Sequence, residues 1–313
     1  VFRWVPPPID KIVKMDGTWA FKIKRHDSGQ INRFKARLAA RGFRQVYGID
    51  YISTMAPVGR IPTFRRMMAE RAQRGMEFIV KDVRSAYLQA DLDVHILMQP
   101  PVGVKPPKPG WVWELLKALY GTKQAGRCWH KKFKGDLLDW GFTQSTADPC
   151  LFSKVSSKDG TIMRILLFVD DLAMIVDTDS ERESKMSHLY DEFFKELSEK
   201  YETSDEDGKD VFLGVRTKQI RTKEGEDVWI LSQMRYIEDL QRKVMPGKFK
   251  KVWTPAPAGE VSKKDCPDVD PGKNQDRKKF VEMIGMLRWI ERFTRPDITQ
   301  TLSELGKVQS NPG

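Results

Sequence analysis

The sequence predicts an α+β fold, and two observations carry that reading. Up to about Ser232 the apolar residues alternate with a period of two or form short runs of strand length, with only a few helical stretches between them. Beyond Ser232 helical spacing takes over, across 234–244, 277–294 and 298–308.

Trp19 to Arg25 sets Phe21 and Ile23 on one face and Lys22 and Lys24 on the other; His26-Asp27-Ser28-Gly29 is a turn signal. Arg33 to Arg41 alternates again, with Phe34, Ala36, Leu38 and Ala40 facing one way and Arg33, Lys35, Arg37 and Arg41 the other. A hairpin is expected, with a row of cations on one face and an apolar layer beneath. Thr63 to Arg74 reads as a helix stopped by Gly75, and Phe78 to Asp82 as a short strand ending in an acid. The proline-rich stretch 100–110 can be neither helix nor central strand. Trp129, Phe133, Leu137 and Trp140 lie at helical spacing before Gly141, a core stripe.

Ile165 to Val176 is two apolar strands broken by Asp170 and Asp171. Ser180 is expected to cap a helix with an apolar stripe from Met186 to Leu197. Val211–Val215 and Asp227–Leu231 are strand-like, and 254–277 is a polar loop.

Composition narrows the function classes. At 313 residues the chain can bury a large core and divide into subdomains; 40% apolar content and a mean hydropathy of −0.51 describe a soluble protein. No apolar run is long enough to span a bilayer, so no membrane partner is expected. The first residues carry no secretory signal and no initiator Met, which suggests a fragment of a longer polypeptide. Three scattered cysteines (Cys128, Cys150, Cys266) and four scattered histidines argue against a disulfide framework or a zinc site. The net charge of +11 favours an anionic partner. Eight of the basic residues fall between Lys22 and Arg44 against the single acid Asp27. A same-sign row of that kind repels itself unless it faces a triphosphate or a nucleic-acid backbone.

Asp170 and Asp171 are the sharpest chemical signal. Two adjacent carboxylates within apolar flanks lose hydration and repel each other, so they call for protonation or a bound cation. The tightest hairpin turns prefer glycine, which Asp-Asp does not supply, so a purely structural turn is the weaker reading. Two-metal phosphoryl chemistry needs a carboxylate from a second element, and Asp82 at the end of its strand is the candidate. Asp91 and Asp93 are alternatives, but they sit in turn-like surroundings.

Several ordered blocks then show a family resemblance: Lys35–Phe43, Gly48–Tyr51, Ala56–Val58, Asp82–Leu88, Leu119–Ala125, Phe168–Asp171, Phe212–Gly214 and Thr294–Asp297. Together they resemble the reverse transcriptase of copia-type LTR retrotransposon polyproteins, from about Trp19 to about Asp297. The resemblance implies a right-hand polymerase: fingers and palm over 1–232 (fingers mainly 1–75 and 97–128, palm with an antiparallel sheet mainly 76–96 and 129–232) and a helical thumb over 233–313. It implies catalytic Asp82, Asp170 and Asp171: Asp82 and Asp170 bind both of two Mg²⁺ ions that Mn²⁺ could replace, Asp171 is a supporting ligand, and the Val83 carbonyl is a further one. Arg25, Lys35, Arg37, Tyr87, Lys123, Gln124 and Lys209 are the expected nucleotide contacts, Tyr87 rejecting a ribose 2′-OH and Lys209 acting as general acid. Phe212, Leu213 and Gly214 resemble a primer grip.

The implied partners are an RNA template, a DNA or tRNA primer, RNA–DNA hybrid and deoxynucleoside triphosphates, in a cytoplasmic virus-like particle with the RNase H and integrase parts of the parent polyprotein. The RNase H block itself is missing from the chain. Gly126 stands where the family usually has proline, and Phe168 where it usually has tyrosine. A catalytically inactive, domesticated nucleic-acid-binding protein is the competing expectation. An RNA-templated RNA polymerase is another, against which the bulky Tyr87 argues.

Overall fold

The computed structural model describes residues 1–9, 13–25, 30–179, 186–204, 210–244, 252–255, 277–310 and 312. The chain forms two compact units, Val1–Glu206 and Asp207–Gly313.

The first unit opens with strands β1 (Phe2–Val5), β2 (Gly17–Arg25) and β3 (Ile31–Ala40), then helix α1 (Ile61–Arg74) and β4 (Glu77–Val83). A short α2 (Ala86–Gln89), β5 (Asp91–Met98), β6 (Val112–Lys117) and α3 (Ala125–Asp139) follow. It ends with β7 (Thr143–Gln144), β8 (Leu151–Val155), β9 (Ile162–Phe168), β10 (Asp171–Val176), α4 (His188–Lys200) and β11 (Thr203–Ser204). The second unit holds β12 (Val211–Phe212), β13 (Val215–Arg221), β14 (Asp227–Ser232), α5 (Met234–Val244), α6 (Arg277–Phe293) and α7 (Thr299–Lys307).

The central sheet is antiparallel, in the order β11-β4-β10-β9-β8-β7. β10 sits in its middle, and Leu172 to Val176 are all buried, which explains the unbroken apolar run of the sequence. Helices α1 and α4 both pack against β9. α1 ends where glycine is needed: Gly75 is left-handed (φ 67°), and its N–H donates to the Arg71 carbonyl. α3 buries Trp129, Phe133 and Leu137, the expected stripe, in an aromatic layer with Trp140, Phe193 and Tyr201. Each such ring contributes about 1.5–3 kcal/mol by burial.

A second sheet, β1-β6-β5, closes over Met15, Ile96, Met98, Trp113, Leu115 and Leu119. The β2–β3 hairpin rises from it. Leu38 and Ala40 root the hairpin in that core, and Arg41 pairs with Asp16 at 3.0 Å. Away from the root the expected apolar layer is exposed. Phe21 and Phe34 are 78% and 76% exposed; among the described residues the hairpin is a two-stranded sheet with no third strand paired to it.

Other boundaries shift. Ser180 lies outside the described residues; α4 begins at His188, after Ser187 at the N-cap, and Met186 precedes it in an isolated bridge with Thr178. β12 to β14 belong to the second compact unit with the C-terminal helices, whereas they were expected with the palm. Within that unit, buried Gln233 accepts from the Thr294 hydroxyl at 2.7 Å and donates to the Trp289 carbonyl at 3.3 Å, tying the end of β14 to α6. Most of the polar 254–277 stretch falls outside the described residues.

Candidate active site

The site is built at one end of the central sheet. In the β4–β10 ladder Asp82 pairs with Asp171. Residues directly opposite on antiparallel strands share a face, their Cβ atoms about 4.5–5.5 Å apart. Asp170 precedes Asp171 in the two-residue turn Val169-Asp170, and its carbonyl accepts the Val83 N–H at 2.9 Å. The two acids are therefore not equivalent: Asp170 is at the turn, and Asp171 already begins the strand. The positive φ that such a turn needs falls on Val169 (φ 60°). On the other edge β11 places Ser204 opposite Asp82, and its hydroxyl lies 3.4 Å from Asp82 Oδ1.

A cleft of about 730 Å³ opens over this end of the sheet. Asp82, Val83 and Asp170 line its floor; Lys35, Arg37 and Tyr120 are on its walls. The hairpin register sets Lys22 opposite Lys35 and Lys24 opposite Arg33, and all four reach the cleft. Like charges directly across a ladder destabilise it, so an anionic ligand is the natural complement of this wall.

Carboxylate oxygens and a backbone carbonyl are the donors that Mg²⁺ or Mn²⁺ takes, so the chemistry of the donor set fits a divalent ion. The backbone brings Asp82, Asp170 and Asp171 together at one end of the sheet. Asp171 is not among the residues lining the cleft, and among the described residues no group of three or more His, Cys, Asp or Glu side chains is arranged to hold an ion.

Two tyrosines stand beside the carboxylates. Tyr87, on α2, packs against Tyr120 with ring centroids 4.8 Å apart. Burial, and then the charge of Asp170, pushes both phenols above their ordinary pKa; Arg37, 5.6 Å over the Tyr120 ring, opposes the shift there. Tyr120 faces the cleft, and Tyr87 is not among its lining residues. The turn carrying Tyr120 is held against the root of the hairpin: Ala40 N–H donates to the Tyr120 carbonyl at 2.7 Å. Gly121 (φ 87°) and Gly42 make that approach possible, because a Cβ on either would collide with the backbone of the other block.

A family model described as "Reverse transcriptase (RNA-dependent DNA polymerase)" matches residues 1–256. The chain belongs to the reverse transcriptase family, in its copia-type branch. It is 32% identical over 310 residues to the "Retrovirus-related Pol polyprotein from transposon RE1" of Arabidopsis thaliana, covering 98% of this chain and 20% of the relative. It is 32% identical over 299 residues to the corresponding polyprotein from transposon TNT 1-94 of Nicotiana tabacum, covering 94% of this chain and 22% of the relative. The chain thus spans about a fifth of these relatives' length. Among solved structures, the foamy viral protease-reverse transcriptase in complex with double-stranded DNA is similar at a TM-score of 0.39 and 12% identity, covering 92% of this chain and 39% of that one.

The remaining expected contacts fall elsewhere. Lys123 and Gln124 do not line the cleft. Lys123 Nζ donates to the Tyr51 hydroxyl at 3.1 Å and sits 4.6 Å over that ring. Gln124 is fully buried: its amide donates to the Asp50 carbonyl at 2.9 Å and accepts from Gln45 at 3.0 Å. It braces the 45–51 loop. Asp91 and Asp93, both on β5 of the second sheet, pair with Lys117 and Arg127 respectively.

Phe212, Leu213 and Gly214 form the β12–β13 turn of the second unit, with Phe212 buried and both central residues left-handed (φ 52° and 76°). Lys209 and the side chain of Arg25 lie outside the described residues. Sequence reasoning missed Tyr120 and Ser204 as members of the site. Tyr120 sits inside a matched block that drew attention only to Lys123 and Gln124, whereas Ser204 has no local signal. Among the described residues no helix is long and apolar enough to cross a membrane.

Proposed function

We propose that this chain extends a primer 3′-OH with deoxynucleoside triphosphates on an RNA or DNA template, as the polymerase part of a retrotransposon polyprotein. The primer 3′-OH gives its proton to solvent as its oxygen forms a bond to the α-phosphorus, the bond from that phosphorus to the bridging oxygen breaks, and pyrophosphate leaves. The observation that supports this reading is the cleft itself, with Asp82 and Asp170 on its floor and a wall of cations above them.

Asp82, Asp170, Asp171 and the Val83 carbonyl would hold two divalent cations, which supply charge neutralisation at the attacking and leaving oxygens. Lys35 and Arg37, with Lys22, Lys24 and Arg33, hold the triphosphate by charge and orient it over the carboxylates. Tyr87, backed by Tyr120, restricts the sugar position and excludes a 2′-OH. The second unit's β12–β13 turn carries the primer-grip assignment, and Lys209 that of general acid.

The partners under this reading are template, primer and their hybrid, with the rest of the polyprotein in a cytoplasmic virus-like particle. Extension of a primed RNA template is the test, with deoxy- or ribonucleotides and Mg²⁺, Mn²⁺ or chelator. Deoxynucleotide incorporation that requires the metal is expected. Template binding without incorporation would favour an inactive nucleic-acid-binding protein instead.

A further inference from the structure

We propose that Trp129 is a positioning residue for the aspartate turn: its indole N–H holds the Val169 carbonyl and so fixes the left-handed conformation that aims Asp170. This rests on the reading of Asp170 as a metal ligand. Trp129 was expected only as part of a core stripe, and burial does account for its ring. It does not account for the direction of the N–H, which points out of the aromatic layer to the Val169 carbonyl at 2.5 Å.

Val169 is β-branched and sits at φ 60°, a conformation that such a residue adopts only when its surroundings impose it. Two hydrogen bonds bracket the turn from different elements. α3 supplies the Trp129 indole to Val169, and β4 supplies the Val83 N–H to the Asp170 carbonyl at 2.9 Å. The indole is itself locked. Trp129 is 1% exposed, stacked on Phe133 at 5.0 Å and met edge-on by Tyr201 at 5.5 Å. The Tyr201 hydroxyl in turn donates to Asp136, which also receives Lys200 at 3.1 Å. An indole has a single donor and no acceptor, so its direction is a committed choice. A rigid layer thus reaches from α3 and the end of α4 to the residue before the first turn aspartate.

Trp129→Phe keeps a ring in the layer and removes only the donor. Single-turnover deoxynucleotide incorporation should fall roughly ten- to a hundred-fold, the scale of a small misplacement in an active site. The dissociation constant for template-primer should not change. Mn²⁺ binding to the protein–template-primer complex without nucleotide, followed by the electron paramagnetic resonance of the free ion, should weaken several-fold.

Val169→Gly added to Trp129→Phe should recover much of both losses, because glycine takes positive φ without the tie. Wild-type incorporation and Mn²⁺ binding by Trp129→Phe would overturn the proposal. So would losses that merely follow the unfolded fraction and that Val169→Gly leaves untouched. Asp170→Asn, run beside them, separates the two readings. If it too incorporates normally, the metal-ligand assignment itself fails; if it is inactive while Trp129→Phe is normal, only the role of Trp129 fails.

Discussion

Asp82 and Asp171 face each other across the β4–β10 ladder, and Asp170, one residue earlier, is tied to β4 through Val83. A pair of acids adjacent in sequence is thereby split between a turn and a strand. The split predicts unequal roles. Asp82→Asn and Asp170→Asn should each lower the incorporation rate at least about a thousand-fold, the loss of more than about 4 kcal/mol of transition-state stabilisation. Asp171→Asn should cost less. Pre-steady-state incorporation by the three variants at saturating Mg²⁺ ranks them; equal losses for Asp170 and Asp171 would contradict the division.

Under the proposed function the cations of the hairpin act on nucleotide binding. Lys35→Ala and Arg37→Ala should raise the KM for deoxynucleotide about ten-fold each, with a smaller change in kcat, since each removes a charge-assisted contact of about 1.5–3 kcal/mol. The effect should shrink as ionic strength rises. Steady-state kinetics at two salt concentrations checks it.

Much of this was legible beforehand. β4, β9 and β10 announced themselves because a fully buried strand is a continuous apolar run, and α1 because Gly75 closes it. The cationic row was legible from period two alone. What was not legible is long-range. Nothing local says that Phe21 of the hairpin is left exposed, that the Gln124 amide bonds to Asp50, or that the Trp129 N–H points to Val169. Each depends on which elements pack together, and sequence periodicity reports only that a face is apolar. The position of Ser204 beside Asp82 is of the same kind, a strand of two residues with no pattern to read.

The sugar gate should be shared. Tyr87→Ala should admit ribonucleotides, and Tyr120→Ala should do so too, because Tyr120 lines the cleft and backs Tyr87. Tyr120→Phe should keep most discrimination. The measurement is the ratio of kcat/KM for deoxy- and ribonucleotide; a normal ratio in Tyr120→Ala would leave Tyr87 acting alone.

Asp136 gives a pH signature. Burial pushes its carboxyl up, but the Tyr201 and Lys200 hydrogen bonds, with the charges of Lys132 and Lys200, outweigh burial and hold it below the ordinary value of 3.8. A carboxylate with a lowered folded-state pKa contributes stability above its unfolded pKa and loses it as pH falls through the folded one. Asp136→Asn should therefore be less stable than wild type at neutral pH, by about 1–3 kcal/mol for a broken buried network. The gap should begin to shrink below about pH 4, where the unfolded carboxyl protonates, and vanish as pH falls through the lower folded-state value. Urea unfolding at pH 7 and at successive acid values checks the convergence.

Gly42 and Gly121 let two distant blocks meet. Gly121→Ala would place a Cβ against the Ala40 backbone at positive φ, and should lower the melting temperature by several degrees while displacing Tyr120. Thermal unfolding read beside the deoxy/ribo ratio checks both effects in one variant.

Metal-dependent nucleotidyl transfer is the function proposed for the carboxylates at the β4–β10 end. Its most direct test compares wild type and Asp170→Asn in single-turnover extension of a primed RNA template with Mg²⁺, with template-primer affinity measured on the same samples. Incorporation by wild type, its loss in Asp170→Asn and equal affinity in both are the predicted result. Wild-type-like extension by Asp170→Asn would contradict the account.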